Sequence, residues 1–571
     1  MGSLFSTLNI ARSGLAAAQI QLDVTGHNIA NVNKTGFSRQ RAELVTRVPI
    51  SRPWGQMGTG ISVSDIIQIR DQFLDDLYQN QVANLGNSEI RAEFYQMIEG
   101  VFLEPGPNGL SARIDEFFNA INEFSTNVES IPVRISVISE ASELADALNT
   151  MSDQLYKLRT NANTEIISFV PEINSMAERI ASINQQIAVL EVNGTSANDL
   201  RDDRNVLLDQ LAKIVNIDTR ERGDGQVDVL ISGQSLVNGG VALELEAVRN
   251  AALDPDRNDL VDVRFVNTGQ KLNVLNGELF GALEMRDDTL VDIDADMDAI
   301  AATLIEQINK IHGQASGLSN YSGTLRSSNA VTDPAVALSA AGLPYTVSPG
   351  SFEIHVFDES TVPPTPVGGT PVTINVTALT TLDDIAAQLN AVPNITASVD
   401  TQGFLSITTG PGFSFSNAND DTNIFAALGL NGLFQGFDAA TISINATITD
   451  NPELLASRFS TDPLDTGDNT AALAMLGVQT GLYFDGNTAT ISEFYESVVV
   501  QIGVEARANG QSLAVEQAFV ANIERRRQEV SGVSLDEEVT LMIQYQRAFE
   551  ASARVISVAD RMLESLLTMA L

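Results

Sequence analysis

Few side chains have a type and spacing suited to chemistry, and each fits a structural role better. Asp292, Asp294, Asp296 and Asp298 alternate through Asp292-Ile293-Asp294-Ala295-Asp296-Met297-Asp298, which superficially suits an oxygen cage for calcium. An EF-hand loop also needs glycine at its sixth position and a bidentate glutamate at its twelfth. Met297 and Thr303 stand there instead, so a solvated acidic helix face is expected. Asp75-Asp76 and Asp383-Asp384 have the groups of a glycosidase acid–base pair, which must face each other across a cleft ~5 to 10 Å wide. With 73 acidic residues in the chain, such adjacency is expected by chance. Gly410-Pro411-Gly412 and Gly239-Gly240 lack the lysine and flanking strand of a phosphate loop and suit turns. Met1-Gly2-Ser3-Leu4-Phe5-Ser6 fits the short acylation pattern, one that recurs by chance. No cysteine is present, which removes thiolate nucleophiles and Cys-ligated metals. His27, His312 and His355 are too far apart in sequence to suggest a ligand pair. No catalytic residue, cofactor site or metal site is therefore expected, and the chain is not expected to be an enzyme.

What the sequence does specify is helices. From Leu4, the residues Leu8, Ala11, Leu15, Ala18, Leu22, Thr25, Ile29 and Val32 follow in steps of four and three, the spacing of a heptad seam. Met542, Tyr545, Phe549, Ser552, Ile556, Ala559, Leu563 and Leu566 repeat those steps at the other end. Ser534-Leu535-Asp536-Glu537 has the form of a capping box, so the second helix should begin near Leu535. The two seams can bury against one another, with small residues permitting close approach. That makes the terminal domain discontinuous, an α-helical coiled coil whose apolar seam is expected to form only when neighbours shield it, leaving both ends disordered before assembly.

Between residues 72 and 215 helical periodicity dominates, with Phe117, Ile121 and Phe124 on one face and Pro171 expected to kink or start a helix. Alternation at Val227–Ile231 and Leu260–Val266 predicts strands, and another helix fits 277–312. Residues 331–451 read as a β-rich insert with a short helix after Thr381, and Val362–Pro366 as a loop or sheet edge. Helical patterning resumes from 452. The expected fold is mainly α with an inserted β-rich domain, nested as 1–60 plus 525–571 (terminal helices), 61–330 plus 452–524 (helical bundle with some β), and 331–451.

The formal charge of -40 would repel a phosphate backbone, so no nucleic-acid partner is expected. No run approaches the ~18 apolar residues of a spanning helix, so no membrane insertion is expected. The basic start and apolar core of a cleaved secretion signal are lacking.

Asn28-Ile29-Ala30-Asn31, followed by Thr35-Gly36 and Gln40, resembles the N-terminal signature of the flagellar axial family of rod, hook and hook-associated proteins. Gln544–Ile556 is similar to the closing helix of that family. Leu110–Ala120, Asp199–Leu211, Leu428–Gly436 and Ser531–Glu538 resemble its hook-associated branch, in the same order along the chain. The resemblance implies an extracellular structural subunit at the junction of hook and filament. It would be exported without a cleaved signal peptide and polymerise as a homo-oligomer. It also implies as partners the hook protein, a second junction protein and an export chaperone that holds the C-terminal helix. Rival readings are a hook or rod subunit, a calcium-binding adhesin and a secreted carbohydrate hydrolase. Calcium-dependent melting would mark the adhesin, and a carboxylate pair facing a cleft would mark the hydrolase.

Overall fold

The structure, a computed structural model, describes residues 2–569 apart from 105, 108, 193, 254 and 256–258; the side chains of 2–4, 566, 567 and 569 lie outside that description. In chain order, α1 (Gly2–Ala30) is followed by β1 (Gln40–Thr46), β2 (Ile50–Arg52), β3 (Gly55–Met57) and β4 (Ile61–Gln68). Next come α2 (Gln72–Phe102), α3 (Leu110–Thr126), α4 (Ile131–Glu191) and α5 (Asn198–Ile214). Six strands follow: β5 (Asp218–Glu221), β6 (Val227–Ile231), β7 (Gln234–Asn238), β8 (Val241–Ala242), β9 (Leu245–Arg249) and β10 (Val261–Phe265). Then α6 (Glu278–Glu284) passes through a π-turn (Met285–Thr289) into α7 (Leu290–Gly313). The strand-rich stretch holds β11 (Thr324–Arg326), β12 (Gly350–Asp358), β13 (Thr365–Pro366), β14 (Val372–Val376), α8 (Leu382–Leu389), β15 (Ile395–Val399), β16 (Leu405–Thr409) and β17 (Phe413–Ala418). Short helices α9 (Ile424–Leu428), α10 (Ala446–Asp450) and α11 (Thr470–Gly477) precede the long α12 (Ile491–Ser531) and α13 (Leu535–Met569). The chain is mainly α with a β-rich region. Its contacts group it into two compact units: 1–94 with 160–287 and 507–571, and 95–159 with 288–506.

In the first unit, Ile166, Phe169, Ile173 and Ile180 of α4 pack with Leu207, Leu208 and Leu211 of α5 and the inward residues Val227, Val229 and Ile231 of β6. The alternation that predicted β6 is seen directly, every second residue being buried in an antiparallel β5-β6-β7-β8 sheet. The β9–β10 hairpin adds Val261, Val263 and Phe265 to the same core. Pro171 neither ends nor starts a helix, because α4 runs through it for 61 residues. Pro171 and Ile167, the residue four positions earlier, both face solvent. The Ile167 carbonyl that loses its amide partner there is within reach of water, which offsets the lost hydrogen bond though not the clash of the ring.

The second unit packs Phe117, Ile121 and Phe124 of α3 and Ile293, Met297 and Ile300 of α7 into its interior. Strand β12 pairs with β13, β14 and β17, and a second sheet runs β11-β16-β15. The proline-rich stretch ends in the two-residue β13, an edge strand, where the missing amides are tolerated. The helix after Thr381 is α8, with a full capping box between Thr381 and Asp384. His312 is fully buried; its Nδ1 lies 2.7 Å from the Asn431 carbonyl and must donate, while Nε2 accepts from the Ala456 amide at 2.9 Å. Burial holds its pKa down to about 4, so it is a neutral pin between two loops. The acidic run of α7 departs from a fully solvated face. Asp298 accepts from the Ala439 amide at 2.9 Å and Asp294 from Ser152 Oγ at 3.1 Å, because the helix turns both toward neighbouring segments.

Candidate assembly interface at the paired termini

Helices α1 and α13 pack along one another. Gly14 lies against Ser552, whose Oγ would sit 3.1 Å from a Cβ at position 14, and Asn28 bonds Glu538. Residue numbers rise along one helix as they fall along the other, so the pair is antiparallel. Along α1 the seam residues Ala11, Ala18 and Thr25 are buried, whereas Leu8, Leu15 and Leu22 are half-buried. Along α13, Ala559 is buried and Met542, Tyr545, Phe549, Ser552, Ile556 and Leu563 are half-buried, while Gln544, Gln546, Arg547, Glu550 and Arg554 face water. Leu4 and Leu566 lie outside the described side chains. Pairing within one chain thus shields part of each seam without a neighbour, small residues taking the deepest places because they let the backbones approach.

The periodicity gave no warning of apolar side chains exposed outside the seam. Val539, Ile543, Val555, Val558 and Met562 of α13 are 42–54% exposed, as is Phe5 of α1 at 53%. Those of α13 form two patches, Val539 with Ile543 and Val555 with Val558 and Met562, separated by the water-facing Gln546, Arg547 and Glu550, and apolar patches left open to water suit a surface that another molecule covers.

Beyond Ala30 the chain reverses through a tight turn. Asn31 bonds the His27 carbonyl with its backbone amide (3.1 Å) and with Nδ2 (3.0 Å), closing the end of α1. Gly36 has φ +77°, and a Cβ there would lie 2.1 Å from Val206 Cγ2, so both backbone and space require glycine. Asn28, 1% exposed, then clamps the returning strand. Its Oδ1 accepts the Gln40 amide at 2.9 Å and its Nδ2 donates to the Gln40 carbonyl at 2.9 Å and to Glu538 Oε2 at 3.2 Å. Gln40 Nε2 reaches Asp199 at 2.9 Å. Of the seven signature residues, Asn28, Asn31, Gly36 and Gln40 thus carry the turn. Ile29 is half-buried and Ala30 and Thr35 are exposed, outside the polar cluster.

Several members of the cluster went unnoticed in the sequence. Arg39 donates from Nε to Glu538 (2.7 Å) and from Nη1 to Glu537 (2.8 Å), tying the turn to the first turn of α13, which starts at Leu535 as the capping pattern indicated. Asp202 of α5, 1% exposed, accepts from the Ser38 amide (2.9 Å), Ser38 Oγ (2.7 Å) and Gln68 Nε2 (2.8 Å). Burial pushes its carboxyl up, opposed by the Ser38 bonds and by Arg70. Lys34 pairs with Asp203 at 3.0 Å. Arg527 of α12 spans Asp75 and Asp209, both at 2.9 Å. The acidic stretch Asp199–Asp203, conspicuous in the sequence, is therefore the platform on which the signature turn rests. The density of opposite charges in the two segments was the available signal.

These carboxylates are occupied by arginine, serine and amide partners. Asp75 is held by Arg70 in a two-pronged pair and cannot work with Asp76 as acid and base; Asp384 caps α8, accepting the Thr381 amide. Among the described residues no group of three or more His, Asp or Glu is placed to hold a metal ion, and no helix is long and apolar enough to cross a membrane.

The chain matches four known families along its length: flagella basal body rod protein over 8–37, flagellar hook-associated protein FlgK helical domain over 95–325, flagellin hook IN motif over 354–410, and flagellar basal body rod FlgEFG protein C-terminal over 525–569. This is a flagellar structural protein of the axial type. Flagellar hook-associated protein 1 of Bacillus subtilis is 27% identical over 99% of this chain and 98% of its own; that of Salmonella typhimurium is 27% identical over 98% and 99%, and that of Escherichia coli 26% over 98% and 99%. The chain is thus similar along its whole length to hook-associated protein 1. Among solved structures, the flagellar hook junction protein FlgK from Burkholderia pseudomallei aligns with TM-score 0.49 and 16% identity over 81% of this chain and all of that one.

Proposed function

We propose that this chain is a non-enzymatic building block of the junction between flagellar hook and filament, polymerising side by side through its paired termini. The observation that carries the reading is the pair of bare apolar patches, Val539 with Ile543 and Val555 with Val558 and Met562, set on a helix that is already held by α1 along its seam. Patches of this kind gain only when a neighbour covers them, and full-length likeness to hook-associated protein 1 supports another subunit as that neighbour. Leu8, Leu15, Leu22, Phe549, Ile556 and Leu563 then form the inner seam. The asparagine–arginine–glutamate cluster sets the angle at which the helix pair leaves the rest of its unit.

Segments 1–60 and 525–571 serve as the polymerising layer in this reading, 61–330 with 452–524 as the helical body, and 331–451 as the outer β-rich part. Hook protein and a second junction protein are the neighbours along the axis. The chain works outside the cell, reaching its place without a cleaved signal peptide and escorted by an export chaperone on α13. Gold-labelled antibody against the chain should decorate one band at the hook tip, and cells lacking it should shed filament subunits from bare hooks. Label along the whole hook or in the rod would reassign the chain to another axial position.

A further inference from the structure

The strand pair that returns from the signature turn carries a hairpin with no cover of its own. β1 pairs with β4 from Gln40–Gln68 to Thr46–Ile61. Beyond that, β2 and β3 pair only with one another, Ile50 opposite Met57 and Arg52 opposite Gly55. Every residue of β2 and β3 is exposed. A two-stranded hairpin with both faces in water is marginal by itself. This one also bears the wrong surface for solvent: Val48 is 86% exposed, Trp54 77%, Ile50 48% and Met57 38%. Tryptophan, arginine and methionine are the types enriched where proteins bind one another.

Its charge points to the occupant. From Arg47 to Thr59 there is no acidic residue, although acids outnumber bases 73 to 33 in the chain. Arg47 and Arg52 have no ion pair or side-chain hydrogen bond among the described residues. Subunits of charge -40 repel one another, so a polymer of them needs cationic contact points to offset that repulsion. The same net charge opposes approach to an anionic bilayer, the other surface a tryptophan–arginine tip could enter.

We propose that the Arg47–Thr59 hairpin is a docking arm that lays Trp54 and its neighbouring apolar side chains against an acidic surface of a second copy of this chain, with Arg47 and Arg52 pairing carboxylates at the rim. This rests on the subunit–subunit reading given above and adds to it a contact outside the helix pair.

The absence of cysteine permits one unique photo-cross-linker per chain. Full-length Gln56→Cys, on β3, and Gln544→Cys, on α13, are each labelled with benzophenone maleimide, assembled on isolated hooks and irradiated. The expected result is a band at twice the chain mass from both, with the Gln56→Cys product mapping to an Asp/Glu-rich segment of the second copy. Arg47→Glu with Arg52→Glu should lower the Gln56→Cys product about tenfold, while lysine at both positions retains most of it. Trp54 is the one tryptophan, so its emission in the unlabelled parent should shift to the blue on assembly. A dimer band from Gln544→Cys alone, without the Trp54 shift, overturns the arm and leaves polymerisation standing. No dimer from either removes both. Cross-linking of Gln56→Cys to a different protein, or hairpin-dependent flotation of the parent with phosphatidylglycerol vesicles, also overturns the proposal.

Discussion

Glu538→Ala is the perturbation that isolates the joint between the signature turn and α13. Glu538 is 1% exposed, accepts Arg39 Nε at 2.7 Å and is one of two carboxylates held by that guanidinium. Removing one partner of a buried pair costs about 3–5 kcal/mol, because the remaining charge stays desolvated. Here the side chain of Arg39 keeps 20% of its exposure and retains Glu537 at 2.8 Å, and Asn28 Nδ2 keeps the Gln40 carbonyl at 2.9 Å. Those residual contacts place the loss lower, at about 2–3 kcal/mol, or roughly a 30- to 150-fold larger open population of the joint. A chain of two compact units need not melt in one step, so the measurement is native-state hydrogen exchange resolved by segment. Amides at the end of α1, in the turn and at the start of α13 should lose protection by that factor, while those of β6 and α5 hold theirs. Glu538→Gln keeps an acceptor for Asn28 and loses only the charge, so it should fall between. Exchange at these three segments within about twofold of the parent in Glu538→Ala would refute the claim that this pair fastens the terminal helices.

Ile556→Asp places a carboxylate in the half-buried seam, so it should loosen the helix pair in the monomer and prevent assembly on hooks; Val558→Asp, in the exposed patch with Val555 and Met562, should leave the monomer's exchange unchanged and still block assembly. Arg554→Ala, exposed on another face, should assemble better than either, and normal filament growth with Ile556→Asp would sink the seam. Asp298 has its carboxyl pushed up to about 6 by burial, with Asp294 and Asp438 adding to the rise and the Ala439 amide opposing it. Its folded pKa lies above its unfolded one, so the ionised group opposes folding: the stability of the second unit should rise as pH falls through about 6 and level off near the usual carboxylate value of about 4. Asp298→Asn keeps an acceptor for the Ala439 amide and should remove that dependence, raising stability at pH 8 by about 1 kcal/mol after allowing for partial solvent screening, as followed by urea unfolding monitored in this unit. Deleting 535–571 should abolish capture by the export chaperone in a pull-down, and retained capture would place the chaperone's site elsewhere.

Local pattern carried the helices and strands because periodicity is a property of neighbouring residues. The 3.5-residue steps of Leu8–Leu22 and Met542–Leu563 and the alternation of Val227–Ile231 each require only that one face be buried. The order of recognisable segments along the chain was likewise legible, since family likeness is written in sequence. Which partner a face meets depends on residues hundreds of positions away, and that had to wait for tertiary structure. Asn28 and Glu538 are 510 positions apart and Ser38 and Asp202 are 164 apart, so nothing local announces that they share one buried cluster. Pro171 shows the same limit: whether a lost helix hydrogen bond is costly depends on whether water reaches the carbonyl, and only the packing of α4 puts that carbonyl outside. Composition predicted an acidic, cysteine-free structural chain. The fold alone revealed that Val539, Ile543, Val555 and Val558 lie outside the α1–α13 pair, because a heptad seam specifies the packed face of a helix and says nothing of what the other faces meet.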